Sequence, residues 1–282
     1  RYMPFRMPLV SIILPTHNRL ELLKKAVSSV YDQTFQEWEL LIVYNESSDG
    51  TEEYLMEIST HDERIRPVKT IKSDFPGISE YLNLGIAVSK GKYIARLDDD
   101  DIWSEIEKIR LQTDFLEKNN DYVLTGGGQR MVDHSGRIMY EILKTKDDND
   151  IRKRSLISCP FEHTTVLFRK DAAERIGNYK IMPVCEDWEL FLNLGTTGKF
   201  FNFPLFFTDS LESDSNISLN DNSVYQRLIA STEIGIIRSY KYLYPNYRMG
   251  LTLHSLQYIY AFVPKFLRNR LKYILRYYKR SI

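Results

Sequence analysis

Residues 9–101 alternate short β-branched apolar runs with amphipathic stretches, and that order constrains the fold more than any other feature of the chain. Leu9-Val10-Ser11-Ile12-Ile13-Leu14 is a run of strand length halted by Pro15, too short for a buried helix. From Arg19 to Tyr31 the apolar positions Leu20, Leu22, Leu23, Ala26, Val27 and Val30 recur at helical spacing, with Asn18 as the expected N-cap. Glu39–Val43 repeats the strand pattern, Asn45–Gly50 is polar, and Thr51–Ser59 reads as a second helix. A strand near Arg66–Ile71, a helix over Gly77–Ser89 and the strand Tyr93–Leu97 continue the series. Such repetition predicts an α/β fold, a mostly parallel sheet flanked by helices. In sheets of this kind ligands bind beyond the carboxyl ends of the strands, which puts Pro15–Arg19, Asn45–Gly50 and Asp98–Asp101 at the expected site. The stretch 121–170, with Gly126-Gly127-Gly128, the turn His134-Ser135-Gly136 and strand-like Thr164–Phe168, is expected to extend the sheet.

Four consecutive aspartates, Asp98 to Asp101, directly follow an apolar strand. That much like charge calls for a neutralising cation. Mn²⁺ or Mg²⁺ prefers carboxylate, water and phosphate oxygens, so an Asp-x-Asp loop can hold one while a diphosphate completes its shell. The same residues also fit a solvated acidic turn that caps a helix over Ile102–Leu116. Glu186-Asp187 opens a second predicted helix, Trp188–Leu194, where a carboxylate can either take a proton from an attacking hydroxyl or complement the helix dipole. Asp187 is the preferred base, with Glu186 beside it. Lys72 is placed to meet a nucleotide's base or phosphates, or to be merely solvated, and His163 either lines a pocket or is a structural histidine. Phosphate-loop, dinucleotide-fold and serine-hydrolase signatures are absent, as is any zinc-type Cys/His spacing.

Lysine plus arginine balances aspartate plus glutamate at 38 each, yet no acid follows Glu233, while ten basic residues do. A body spanning 1–233 and a basic tail spanning 234–282 are therefore expected, the body having halves at about 8–120 and 121–233. In the tail, Leu267, Leu271, Ile274, Leu275 and Tyr278 share one helical face beside Lys265, Arg268, Lys272, Arg276 and Lys279. That pattern suits an interfacial helix on an anionic membrane, or a helix docked on the protein with a solvated basic face. No apolar run approaches the roughly 20 residues of a membrane span, and residues 1–10 lack signal-peptide organisation, so a cytoplasmic, membrane-peripheral location is expected. Cys159 and Cys185 read as core thiols in a reducing compartment, and no nucleic-acid module is visible. The native start is expected at Met3 or Met7.

From Pro8 to about Thr208 the chain resembles the family 2 inverting glycosyltransferases of the GT-A fold. Four ordered motifs carry the likeness: Val10–Arg19, Ser47-Ser48-Asp49-Gly50-Thr51, Ala95–Asp101 and Glu186-Asp187-Trp188. The resemblance implies a nucleotide-sugar donor, UDP-linked by preference, and a glycan or lipid-linked acceptor. It places Pro15, Thr16, His17 and Arg19 against the nucleoside, Asn83 in the donor site, Asp98 toward the ribose with Asp99 beside it, and Asp100 on the metal. Asp187 matches the proposed base. Tyr44-Asn45-Glu46 departs from the family's usual Asp-Asp-Gly, so Asn45 stands where an aspartate commonly meets uracil. An Asn oxygen still accepts that hydrogen bond. The signature of processive synthases is missing, which favours transfer of a single sugar. Two other readings remain: a non-catalytic sugar-nucleotide or glycan-binding module on the same fold, and a sugar-1-phosphate nucleotidyltransferase, whose glycine-rich opening loop is absent here.

Overall fold

The computed structural model describes residues 7–70, 77–211 and 222–263. The chain divides into two compact units, one comprising 1–155 and 159–213, the other 156–158 and 214–282. In the first unit, β1 (Val10–Thr16), β2 (Trp38–Tyr44), β3 (Ile65–Lys69) and β4 (Tyr93–Arg96) alternate with α1 (Leu20–Tyr31), α2 (Thr51–His61) and α3 (Ile78–Val88). These four strands are parallel in the order β3-β2-β1-β4, as the alternating pattern requires. Pro15 does not stop β1. It lies beyond Ile13, the last β1 residue paired with β4, so its missing N–H breaks no bond there.

The rest of the unit lengthens this sheet with β5 (Asp101–Trp103), β6 (Tyr122–Val132), β7 (Ile138–Ile142), β8 (Leu167–Arg169) and β9 (Lys199–Leu211), interrupted by α4 (Lys108–Lys118), α5 (Asp148–Arg154), α6 (Lys170–Arg175) and α7 (Glu186–Leu194). The full order is β3-β2-β1-β4-β8-β6-β9-β5, with β7 hairpinned onto β6. Only β5, β7 and β8 run against the others among the described strands. The result is a GT-A-like sheet flanked by helices.

Three local expectations change. The predicted helix Ile102–Leu116 begins at Lys108 instead, because Asp101-Ile102-Trp103 pairs with Ser210, Asp209 and Thr208 of β9. Trp103 is buried there, its indole N–H donating to Thr164 O at 2.9 Å. The segment expected as a strand from Thr164 opens as a 3₁₀ turn over His163–Thr165, and the strand itself is Leu167–Arg169. Asn18 is not the N-cap of α1. It takes a left-handed φ of 51°, and Asp49, from the next loop, accepts the Leu20 N–H at 2.8 Å.

In the second unit α8 (Ser223–Tyr240) packs with α9 (Tyr247–Tyr260). Helix α8 runs unbroken through positions 233 and 234, the junction expected from charge alone. The predicted tail helix from Lys265 and the candidate Lys72 lie outside the described residues.

Candidate active site

The loops after β1 and β2 are stitched together by side chains of their own motifs. Asn18 Oδ1 accepts the Ser48 N–H at 2.7 Å, and Ser47 Oγ accepts the Asn18 N–H at 3.2 Å. Asp49 caps two helices at once, with Leu20 on one oxygen and the Thr51 hydroxyl on the other at 2.6 Å. Against the upward push of desolvation, those donors hold Asp49 below the usual carboxylate range. Gly50, at φ 90°, makes the left-handed turn into α2 that a side chain would strain. The Ser-Ser-Asp-Gly-Thr motif is thus scaffolding, and it shapes an open cleft of about 360 Å³ lined by Asn18, Glu46, Ser47, Ser48, Glu52 and Lys69. Lys69 pairs with Glu52 at 2.8 Å on one side of it. Asn45 is buried behind the cleft, its Oδ1 accepting the Glu46 N–H at 2.8 Å.

The aspartate tract divides its labour. Asp99 is buried, accepts the Thr16 hydroxyl at 2.8 Å and pairs with Arg19 Nη1 at 3.1 Å. Burial pushes its carboxyl up to about 6 although Arg19 and Thr16 pull it down. Asp100 is more open and takes the same Arg19 nitrogen at 3.0 Å, its carboxyl raised by burial and by Asp98. Asp101 turns inward to accept from Ser210, and burial raises it well above the ordinary range. Asp98 pairs with Arg96, which is 2% exposed and also donates to Leu97 O. His17 Nε2 lies 3.1 Å from Asn18 Nδ2.

Across from Arg96 stands the acid pair at the start of α7. Cys185, at φ 63°, ends the preceding loop and aims Glu186 and Asp187 off the first turn. Burial and the charge of Asp187 raise Glu186 to about 7, with Arg96 pulling it back and Asp98 adding to the rise. Asp187 is raised to about 6 by burial, partly offset by the Trp188 N–H, and lifted further by Glu162 and Asp98. Cys159 is a half-buried thiol, kept protonated by burial and by the charge of Asp187. Its Sγ donates to Phe161 O at 3.4 Å and lies 3.9 Å from Asp187 Oδ2. Lys144, paired with Glu162 at 3.0 Å, adds a cation near Asp187 and Cys159.

Two candidates are committed elsewhere. Asn83 clamps the backbone of Tyr179, donating to its carbonyl at 2.7 Å and accepting its N–H at 2.9 Å, so the amide is taken up by packing. Tyr179 and His163 hydrogen-bond at 2.8 Å, and burial with the charge of Arg96 lowers His163 to about 3. His163 is therefore a neutral structural histidine beside the site.

No three His, Cys, Asp or Glu side chains gather into a metal cage among the described residues. The residues present nevertheless suit a hard cation of the kind that keeps water and phosphate in its shell, since such an ion needs one or two protein carboxylates. Arg19 already occupies a cation position on Asp100. A divalent ion would be held by Asp100, with Asp98 the adjacent carboxylate.

Residues 11–177 match Glycosyl transferase family 2. The chain belongs to that family. It is 31% identical over 210 residues to an uncharacterized glycosyltransferase of Haemophilus influenzae, covering 70% of this chain and 63% of that protein. It is 37% identical over 113 residues to the UDP-Glc:alpha-D-GlcNAc-diphosphoundecaprenol beta-1,3-glucosyltransferase WfgD of Escherichia coli, covering 40% of this chain and 42% of WfgD. Only 22% of a Rickettsia bellii relative is spanned. Among solved structures, the Pyrobaculum calidifontis mannosyltransferase PcManGT, in complex with GDP-Man and Mn²⁺, superposes with a TM-score of 0.61 at 14% identity, over 90% of this chain and 75% of that one. S. aureus TarS 1-349 in complex with UDP-GlcNAc gives 0.61 at 17% identity, over 80% and 66%. At such identities these two speak for the fold.

Proposed function

We propose that this family 2 chain moves a single sugar from a nucleoside-diphosphate sugar, UDP-linked by preference, to a hydroxyl of a glycan or lipid-linked acceptor, with inversion at the anomeric carbon. The observation that carries the reading is electrostatic. Asp98, in the aspartate tract, lies close enough to raise both Glu186 and Asp187, which supports reading two motifs far apart in sequence as one site. Donor binding occupies the half within 8–120 and the acceptor the half within 121–233. The nucleoside lies in the cleft after β2, lined by Asn18, Ser47 and Ser48, near buried Asn45, and the diphosphate faces Asp98–Asp100 and Arg19. A bound Mn²⁺ or Mg²⁺ would supply Lewis-acid stabilisation of charge on the departing diphosphate. Asp187 takes the acceptor's proton, and its raised pKa matches a base working near neutrality. Glu186 and Lys144 set the field around it.

The mannosyltransferase holding Mn²⁺ and the glucosyltransferase acting on a diphosphoundecaprenol-linked sugar support the metal and a lipid-linked acceptor. Cell-surface polysaccharide assembly at the inner face of the cytoplasmic membrane fits such an acceptor, and the basic tail would hold the chain there. No described helix is long and apolar enough to cross a membrane. The test is a thermal-shift panel of UDP, GDP, dTDP and CMP with and without Mn²⁺, followed by donor hydrolysis. Metal-dependent stabilisation with release of nucleoside diphosphate supports transfer. Stabilisation without turnover indicates a binding module, and release of pyrophosphate a nucleotidyltransferase.

A further inference from the structure

Helix α9 is fixed about its own axis. His254 is buried, with Nδ1 2.7 Å from Glu233 Oε2 and Nε2 3.0 Å from Ile157 O. Gly250 packs so closely that a Cβ there would come within 1.9 Å of Leu156 O. With Gly250, His254 and Ala261 inward, the opposite face is set by helical spacing. That face carries Met249, Leu253, Leu256 and Ile259, exposed by 44%, 37%, 58% and 62%, with Thr252 the polar residue among them. A helix anchored on one side ordinarily turns its polar residues outward. Four aliphatic side chains in one exposed stripe mark a contact surface.

The charge around the stripe selects its occupant. Glu233 is the only acid within 222–263, and its carboxylate is turned onto His254. Arg227, Arg238, Lys241 and Arg248 stand against it, and the sequence beyond 263 adds seven basic residues and no acid. Arg248, exposed, sits at the N-terminal edge of the stripe. A second copy of the chain would bring the same cations face to face, which opposes self-association. A surface that is anionic outside and apolar just beneath matches both features.

We propose that the α9 stripe seats on an anionic lipid bilayer, its four aliphatic side chains at the acyl boundary and the neighbouring cations over the headgroups. The inference rests on the membrane-peripheral reading above but assigns the contact to α9, ahead of the predicted tail helix that starts at Lys265. The experiment compares three full-fold proteins on phosphatidylglycerol-rich and on pure phosphatidylcholine vesicles by co-sedimentation: the unchanged chain, Leu253→Gln with Leu256→Gln, and a deletion of 264–282. Because both leucines are exposed, the double variant is expected to keep the thermal stability of the unchanged chain. Expected is binding to anionic vesicles only, weakened about tenfold or more in the double variant. Equal pelleting of the double variant would overturn the proposal, and if the deletion alone abolished binding the tail reading would stand without it. Equal capture by phosphatidylcholine would also overturn it. So would a dimer in lipid-free solution that the double variant abolishes, since the stripe would then belong to a second copy.

Discussion

Arg19→Gln separates the two cations assigned to Asp100, the guanidinium observed on it and the proposed metal ion. In the ligand-free protein the Arg19 guanidinium bridges Asp99 at 3.1 Å and Asp100 at 3.0 Å, so a metal ion reaching Asp100 must first displace it. The pair is partly exposed, with side-chain accessibilities of 32% for Arg19 and 22% for Asp100, which discounts its worth to about 1–2 kcal/mol. Removing the guanidinium should therefore tighten nucleotide-free Mn²⁺ binding roughly 5- to 30-fold. Nucleoside diphosphate affinity should move the other way, roughly 10-fold weaker or more, because on the proposed reading the released guanidinium donates to the phosphates. A third sign follows from Asp99, whose carboxyl burial already holds near 6. Without Arg19 it rises further, so the folded state keeps a proton that the unfolded chain gives up above its ordinary carboxylate range. The variant should thus be nearest to the unchanged protein in stability near pH 5 and furthest below it near pH 8, the range above Asp99's folded value. Calorimetric titration with Mn²⁺ alone, then with UDP, reads the first two effects. Weaker or unchanged Mn²⁺ binding in the variant refutes the displacement argument.

Other expectations follow from the same geometry. Asp100→Ala should abolish Mn²⁺-dependent nucleotide binding, whereas Asp187→Ala should bind nucleotide normally and lose about 100-fold or more in turnover; equal binding losses would contradict the assigned roles. Turnover should rise with pH through the window of about 6 to 7 set by Asp187 and Glu186. Glu162→Gln should move that limb to lower pH, since Glu162 lifts Asp187 and its loss also frees Lys144; an unmoved pH–rate profile would count against Asp187 as base. Over the same window stability should fall as pH rises, because the folded protein holds protons the unfolded chain has released; the urea midpoint against pH checks it. Asn83→Ala should lower stability by about 2–3 kcal/mol, leaving the Tyr179 backbone unpaired, and a melting temperature unchanged from the parent would rule out the clamp.

The donor half was legible because each of its signals is local. A β-branched run, a polar loop and an amphipathic helix repeat without interruption, and parallel strands buried on both faces tolerate no other order. The acidic tract stood out for the same reason, although its split into Arg19-bound Asp99 and Asp100, inward Asp101 and Asp98 paired with nearby Arg96 depends largely on Arg19 and Ser210, which are remote in the chain. What sequence could not give was pairing at a distance. Ile102-Trp103 follows an acidic turn and precedes a helix, and only β9 makes it a strand. Asn83 carried a family expectation, yet Tyr179 claims its amide. Lys144, Glu162 and Cys159 lie near Asp187 in space and in no motif, so nothing in their spacing marks them.

The central claim is that the bend after β4 grips a divalent cation against the donor's diphosphate. Anomalous diffraction from a crystal soaked with Mn²⁺ and UDP tests it most directly. The account places a manganese peak within coordination distance, about 2.0–2.3 Å, of an Asp100 carboxylate oxygen and of both phosphates, with Arg19 released from Asp100. UDP bound with no such peak, and Arg19 still bridging Asp99 and Asp100, would contradict it.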